Sequence, residues 1–185
     1  MNKTEFWNLI NQSKSYEEER VEWLTEELSR RPINDIVDFE FIFQSYMNES
    51  YQSHLWGAAY LIMGGCSDDS FDYFRGWLIS QGQEVYEKIL KNPEFLANYL
   101  SDENLGEEGV PEYEEFLSVG FDAYTLKKDG DPEEWDERLY DEMLELLSQK
   151  GLADNNEIEF DWEDDDDLKA MFPALWERFG EDPLG

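Results

Sequence analysis

The chain of 185 residues has little of what many catalytic and metal sites use, because it contains one cysteine, Cys66, and one histidine, His54. A single cysteine excludes an internal disulfide and gives none of the paired spacings of zinc ligands. This count favours a reducing compartment, and we expect a cytoplasmic protein. A chain of this length buries roughly 70% of its unfolded surface, which is enough to fold without a disulfide or a structural metal.

Basic residues are also scarce, since 14 lysines and arginines stand against 46 aspartates and glutamates, for a formal net charge of −32. Such a charge repels phosphate backbones and anionic lipid headgroups, so we expect no direct nucleic-acid partner and no membrane partner. Residues 101–167 alone hold 26 acids and 4 bases. With 41% hydrophobic and 16% aromatic residues, the chain nevertheless has enough apolar material for a core.

No hydrophobic run reaches the length of a membrane span, and the N-terminal sequence MNKTEFWNLI lacks the continuous apolar stretch of a signal peptide. Strand-forming residues are few as well: valine and threonine together occur eight times and leucine occurs twenty times. The composition therefore predicts a mainly α fold, a single compact multi-helix domain over residues 1–185. At most one short extended segment is expected, near 156–162, where NEIEFDW alternates apolar and acidic residues.

The most apolar run, HLWGAAYLIMGG, predicts a buried central helix that starts near His54 and stops at Gly64 and Gly65. Ser67 or Asp68 is expected to cap the helix that follows.

Prolines mark two further helices. Pro132 predicts a helix that opens at Asp131, because proline suits the first turn. Its inward side chains are expected to be Trp135, Leu139, Met143 and Leu146. Pro173 predicts a kink or a restart in the last helix.

The stretch from Leu55 to Ala97, LWGAAYLIMGGCSDDSFDYFRGWLISQGQEVYEKILKNPEFLA, closely resembles the core of a bacterial family, the domain of unknown function forty-two-forty. The opening TEFWNLI and the ending MFPALWERFG, Met171 to Gly180, resemble the ends of that family. The resemblance implies a small helical cytoplasmic domain without a settled activity or catalytic residues to carry over. Members of this kind occur among bacterial proteins with suspected immunity or defence roles, which is an association and not a mechanism.

One group of residues combines acid–base, carboxylate and guanidinium chemistry within two consecutive predicted helices: His54, Trp56, Asp68, Asp69 and Arg75. If the helices pack antiparallel, these side chains line one cleft in which Arg75 holds a phosphate or a carboxylate. The structural alternative is that the aspartates stabilise a helix N-terminus and that Arg75 pairs with one of them or with Asp72. A Cys66–His54 catalytic pair is a further alternative to a small buried thiol, because nothing in their spacing fixes a contact.

Motifs that bind cofactors or metals are missing. The sequence contains no Walker-type loop, dinucleotide glycine fingerprint or esterase nucleophile elbow. The acidic run from Asp164 to Asp167 lacks the glycine and the terminal glutamate that a calcium loop places in register. We therefore expect no cofactor and no metal site.

Eight acids fall largely outside the apolar stripes of their predicted helices and are expected to form a contiguous acidic face: Glu112, Glu114, Glu115, Glu133, Glu134, Asp136, Glu137 and Glu145. The leading hypothesis is a non-catalytic protein-binding module, an inhibitor or immunity-type factor, whose acidic face docks on a basic protein. A purely solubilising surface is the alternative. The rival class is a small enzyme or anionic-ligand receptor built around Arg75. An open, solvated Arg75 favours that rival, whereas an Arg75 sealed by aromatic rings favours a structural role.

The central helix provides the first testable prediction. We expect Ala59→Glu to unfold the domain, because an unpaired buried carboxylate costs several kcal/mol, comparable with the whole stability of a domain. Circular dichroism and thermal unfolding measure this loss. An Ala59→Glu protein that still folds contradicts a buried position.

Overall fold

The computed structural model describes residues 1–106, 109–153 and 157–185. Helices follow one another along the chain as α1 Lys3–Ser13, α2 Arg20–Ser29, α3 Ile33–Glu49, α4 Ser53–Met63, α5 Asp68–Ser80, α6 Gln83–Lys91, α7 Leu96–Tyr99, α8 Val119–Lys127, α9 Glu137–Gln149, α10 Asp165–Met171 and α11 Pro173–Phe179. Short 3-10 helices occupy Lys14–Glu19, Pro93–Phe95 and Glu114–Leu117. Within the described ranges no residue lies in a strand, and the mainly α prediction is confirmed. Residues 157–162 lie outside any helix, and Asn156 of the predicted extended segment lies outside the described residues.

Internal contacts divide the chain into two compact units, each built from two separate segments. Unit 1 comprises Met1–Tyr46 and Glu115–Asp154, and unit 2 comprises Met47–Glu114 and Asn155–Gly185. The single domain over residues 1–185 stays a prediction. In the part of the chain that is described, no helix has both the length and the apolarity needed to cross a bilayer.

In unit 1, α1 begins with a capping box. The Asn2 side chain accepts a hydrogen bond from the Glu5 amide at 3.0 Å, and the Glu5 carboxylate accepts one from the Asn2 amide at 2.8 Å. The cap fixes the start of α1, whose Phe6 and Trp7 are buried. The Trp7 indole donates to the Tyr46 hydroxyl at 3.0 Å, so this aromatic core satisfies its polar atoms.

A buried carboxylate lies where α3 meets α8. Glu40 is buried, and Gly120 of α8 leaves room for its carboxylate because a side chain at that position would collide with Glu40 Oε2. Gln44 Nε2 donates to Glu40 Oε1 at 2.8 Å, whereas Oε2 has no hydrogen-bond partner among the described residues. Burial raises the pKa of Glu40 to about 7, against the lowering effect of Gln44, and the nearby charge of Asp122 raises it further.

In unit 2, α4 has the buried face that its sequence predicts. Its fully or nearly fully buried residues include Leu55, Ala58, Ala59 and Ile62. Gly57 on this helix has no side chain, and a Cβ there would lie 2.9 Å from both Trp162 Nε1 and Leu168 Cδ2. The small residue therefore allows α10 and the 157–162 segment to approach α4. Gly64 ends the helix with a φ of 70°, as predicted.

Two other predicted boundaries in unit 2 are confirmed. The Ser67 hydroxyl caps α5 by accepting from the Ser70 amide at 3.1 Å. The chain restarts at Pro173, where the Glu94 carboxylate accepts from the amides of Ala174 and Leu175 at 3.0 and 3.2 Å. A carboxylate at this position satisfies the first free N–H groups of α11.

The predicted start of the α9 helix is wrong. The helix opens at Glu137 and not at Asp131, because the Asp136 carboxylate caps it by accepting from two backbone amides, those of Arg138 and Leu139. Trp135 consequently precedes the helix and is 67% exposed, whereas the sequence predicted an inward position. The buried face of α9 consists of Leu139, Met143 and Leu147, while Leu146 is only half-buried.

Glu40 gives a prediction on pH and stability. A carboxyl that titrates near 4.5 in the unfolded chain and near 7 in the folded one binds more protons when folded, so the free energy of unfolding falls as pH rises between these values. Glu40→Gln removes this titration. From pH 4.5 to pH 7 the free energy of unfolding of the variant should therefore rise by about 3 kcal/mol relative to that of wild type. Urea unfolding across this pH range measures the difference.

The matched control is Glu22→Gln, which changes an exposed glutamate of the same unit. Its stability should follow the wild-type pH profile. A Glu40→Gln difference that stays constant from pH 4.5 to pH 7 contradicts the buried, proton-binding carboxyl.

Candidate functional site

Arg75 is a buried charged side chain of unit 2 whose polar atoms all have partners. It lies in α5 and is 2% exposed. Its Nη1 donates to the Met47 carbonyl oxygen at 2.6 Å, its Nε donates to the Phe71 carbonyl oxygen at 3.3 Å, and its Nη2 forms an ion pair with Asp72. The predicted pairing of Arg75 with a nearby aspartate is therefore confirmed for Asp72. Each of the three guanidinium nitrogens has a partner within the protein.

Aromatic rings enclose this guanidinium. Its central carbon lies 4.9 Å from the ring centroids of both Tyr51 and Phe71. Burial lowers the pKa of Arg75, and the charge and hydrogen bond of Asp72 raise it again. Arginine nevertheless remains protonated at neutral pH, so the cluster holds a buried cation whose charge is balanced locally. An open, solvated Arg75 was expected for a ligand site and an Arg75 sealed by aromatic rings for a structural role. The observed geometry favours the structural role.

Trp56 belongs to the same cluster. Its indole ring stacks on Phe71 with the ring centroids 4.5 Å apart and an interplanar angle of 17°. The indole N–H donates to the Cys66 carbonyl oxygen at 3.0 Å. The structure thus brings Trp56 and Arg75 to one ring, Phe71, as packing partners.

The remaining predicted ligand residues are His54, Asp68 and Asp69, and all three are exposed. His54 is exposed in the first turn of α4, with its ring centroid 4.7 Å from that of Phe172. Asp68 and Asp69 are exposed in the first turn of α5, where carboxylates stabilise a helix. A ligand site that uses all five residues stays a prediction.

The Cys66 thiol is poorly suited to nucleophilic chemistry. Burial raises its pKa to about 12, and the charge of Glu112 adds to this effect. The thiolate is the reactive form of cysteine, so at neutral pH almost all of this side chain is the unreactive thiol.

Sequence reasoning missed the segment that covers one end of α4. The Asp161 amide donates to the Ser53 hydroxyl at 3.0 Å, and the Trp162 indole donates to the Ser53 carbonyl oxygen at 3.1 Å. Phe160 is 51% exposed and lies edge-on to Trp56, with centroids 5.3 Å apart. The alternating pattern of NEIEFDW was the available signal, but it did not indicate which helix the aromatic residues would contact.

The eight acids predicted to form one face belong to both units. Six of the eight are exposed, and Glu112 and Asp136 are half-buried. Unit 2 holds Glu112 and Glu114, and unit 1 holds Glu115, Glu133, Glu134, Asp136, Glu137 and Glu145. A contiguous face made of all eight stays a prediction. No three histidine, cysteine, aspartate or glutamate side chains in the described ranges gather as potential metal ligands.

Unit 1 contains three aromatic rings in mutual contact, hereafter the aromatic trio, formed by the half-buried Phe121 of α8 and the exposed Trp135 and Tyr140, of which Tyr140 lies in α9. The ring centroids lie 5.5 Å apart for Phe121–Trp135, 5.5 Å for Phe121–Tyr140 and 4.8 Å for Trp135–Tyr140. Trp135 is 67% exposed and Tyr140 is 37% exposed. Leu144, one turn after Tyr140 on α9, is exposed as well. Trp135, Tyr140 and Leu144 are therefore large apolar side chains that remain exposed at the surface of unit 1.

Acids flank the aromatic trio along the chain. Glu133 and Glu134 precede Trp135 directly, and Asp136 and Glu137 follow it. Burial raises the pKa of Asp122, the residue after Phe121, and the negative charge of Glu133 raises it further.

The basic side chains nearby are engaged elsewhere. Arg138 lies 3.3 Å from Asp136 and 3.9 Å from Glu142, and Lys128 lies 2.6 Å from Glu142. In residues 1–106, 109–153 and 157–185, no lysine or arginine lies within ion-pair distance of Glu133, Glu134 or Glu137. At the border of the aromatic trio, Glu133, Glu134 and Glu137 therefore carry negative charge that no cation of the described chain neutralises, whereas Asp136 is paired with Arg138.

These observations define a mainly α, acidic protein with a structural arginine in one unit and an exposed aromatic cluster in the other. The chain belongs to the family described as protein of unknown function (DUF4240), which matches residues 1–126. This match includes the resembling stretch from Leu55 to Ala97, whereas the ending from Met171 to Gly180 lies beyond it and its resemblance stays a prediction. No curated protein and no solved structure matches the chain.

The Arg75 cluster yields a stability prediction. Arg75→Leu removes a buried cation together with its hydrogen bonds to the Met47 and Phe71 carbonyl oxygens, so we expect a loss of about 3 kcal/mol in the free energy of unfolding. Arg30→Leu serves as the matched control, because Arg30 is 64% exposed and pairs with Glu26 on the surface of α2. That change should cost less than about 1 kcal/mol. Equal losses in the two variants contradict the structural role of Arg75.

Proposed function

We propose that this chain is a non-catalytic protein-binding module whose acidic surface docks on a basic protein, in the manner of an inhibitor or immunity-type factor. The observation that carries the proposal is the aromatic trio bordered by Glu133, Glu134 and Glu137, which form no ion pair with a lysine or arginine among the described residues. Tryptophan and tyrosine are enriched among the residues that dominate the binding energy of protein interfaces. Carboxylates around such a centre provide the polar, charged rim of an interface.

The charge of the chain supports a basic partner over other binding partners. Residues 101–167 carry a net charge of −22, within a chain of net charge −32. Such a field accelerates the encounter with a positively charged protein and opposes nucleic acid and anionic lipid. Added salt should slow this encounter, because charges in solvent are screened beyond about 10 Å at 0.1 M.

Two features support the non-catalytic part of the proposal. The guanidinium of Arg75 uses its three nitrogens within the protein, and the thiol of Cys66 is protonated at neutral pH. The single cysteine and the family resemblance support a bacterial cytoplasmic setting.

The experiment compares two triple variants that change the net charge equally. The face variant carries Glu133→Gln, Glu134→Gln and Glu137→Gln beside the aromatic trio. The control variant neutralises three exposed acids of unit 2: Glu87, Glu103 and Glu177. Each purified protein is used to capture basic proteins from a lysate of the cells that produce it, and the captured protein is then purified for binding measurements at increasing salt.

We expect wild type and the control variant to bind one basic protein with similar affinity, and the face variant to bind it about tenfold more weakly with its fold intact. Circular dichroism establishes that all three proteins fold. The absence of a basic partner, an equal loss in both variants, or binding that ignores salt refutes the proposal and leaves the solubilising surface as the explanation.

A further inference from the structure

We infer that the exposed ring of Trp135, held by Tyr140 and Phe121, is a binding site for an arginine side chain of the basic partner. This inference rests on the proposed function and adds the chemical group that the surface recognises.

Trp135 has the properties of a cation-binding ring. Tryptophan has the most favourable ring face for a cation among the aromatic residues, and 67% of this residue is accessible to solvent. Contacts with Phe121 and Tyr140 at 5.5 and 4.8 Å hold the ring on the surface of unit 1. A ring that is held before binding loses little conformational freedom when a partner docks.

Arginine fits this surface better than lysine does. A guanidinium is planar and weakly hydrated, so it stacks on an aromatic ring while its edge donates hydrogen bonds to a carboxylate. Glu134 directly precedes Trp135 and Glu133 lies one residue further on, and both are exposed carboxylates. Lysine places a compact, strongly hydrated charge in the same position and gains less from the flat ring.

The chain uses the same chemistry internally in unit 2. There Arg75 lies 4.9 Å from two aromatic centroids, those of Tyr51 and Phe71, while its edge pairs with Asp72. The aromatic trio offers rings and carboxylates without the guanidinium, since Arg138 is directed to Asp136 and Glu142. A second copy of the chain is a poor occupant, because two acidic surfaces of one chain with a net charge of −32 repel each other.

The test uses three short peptides that alternate glycine with arginine, with lysine, or with citrulline, the uncharged analogue of arginine. Their binding is measured by fluorescence anisotropy on wild type, Trp135→Leu and Trp135→Phe. The matched control is Phe160→Leu, which removes another exposed ring that lies between two acids, Glu159 and Asp161. Sedimentation of the same proteins without peptide measures self-association.

We expect wild type to prefer the arginine peptide to the lysine peptide by several-fold and to bind the citrulline peptide weakly. Trp135→Leu should weaken arginine binding about threefold to thirtyfold and abolish the preference over lysine, whereas Trp135→Phe and Phe160→Leu should retain most of both. The retained binding of Trp135→Phe separates a ring effect from a folding defect.

Other outcomes separate the two proposals. If Trp135→Leu binds like wild type while the variant with Glu133, Glu134 and Glu137 changed to glutamine loses binding, the arginine site is refuted and the acidic docking surface stands. If none of the peptides binds, or if only the citrulline peptide does, the arginine site is refuted, and the lysate capture decides separately whether the acidic docking surface stands. Self-association that Trp135→Leu abolishes also refutes the arginine site, because the ring then contacts a second copy.

Discussion

The buried cation of Arg75 is the constraint around which unit 2 is organised. Its guanidinium shares the Met47 carbonyl oxygen, in the last turn of α3, with the Ser50 hydroxyl. Its stacking partners Tyr51 and Phe71 belong to the stretch before α4 and to α5. Trp56 then packs on Phe71, which links α4 to the same group. A charge this deeply buried is tolerated only where hydrogen bonds and an opposite charge satisfy it, so these elements must meet in one arrangement.

The acids of this chain occupy two physically different environments. Most carboxylates lie in solvent, where they cost little and act on distant charges through the field of the whole molecule. Glu40 is the opposite case, because its carboxyl is enclosed between α3 and α8 and retains its proton to about pH 7. The net charge does not distinguish these two environments. The close packing of Gly120 against the Glu40 carboxylate does, because it encloses that group.

Local chemistry made much of the fold predictable. The sequence correctly predicted three local features: the apolar run of α4, the serine cap of α5 and the restart at Pro173. Such features are predictable because helix periodicity and helix breakers act over a few residues. The start of α9 was mispredicted because two signals competed, Pro132 for the first turn and Asp136 for the cap, and the cap prevailed with two backbone hydrogen bonds.

The candidate sites were predictable to the same limit. The spacing of Arg75 and Asp72 on one helix predicted their pairing, because residues three positions apart lie on the same face of a helix. The Met47 carbonyl and the Tyr51 ring could not be inferred, because only tertiary packing brings them to Arg75. The aromatic trio was missed for a related reason: the error of six residues in the start of α9 placed Trp135 inside.

The attachment of the 157–162 segment to α4 has a consequence during synthesis of the chain. Ser53 and Asp161, which are hydrogen-bonded in the folded protein, are 108 residues apart. At a translation rate of about 5–20 residues per second, α4 waits roughly 5–20 seconds on the ribosome before its cover is made. During that interval one of the most apolar faces of the protein is open to chaperones and to other nascent chains. Closure of this long loop over α4 is therefore a late step in the folding of unit 2, and until then the apolar face of α4 favours aggregation.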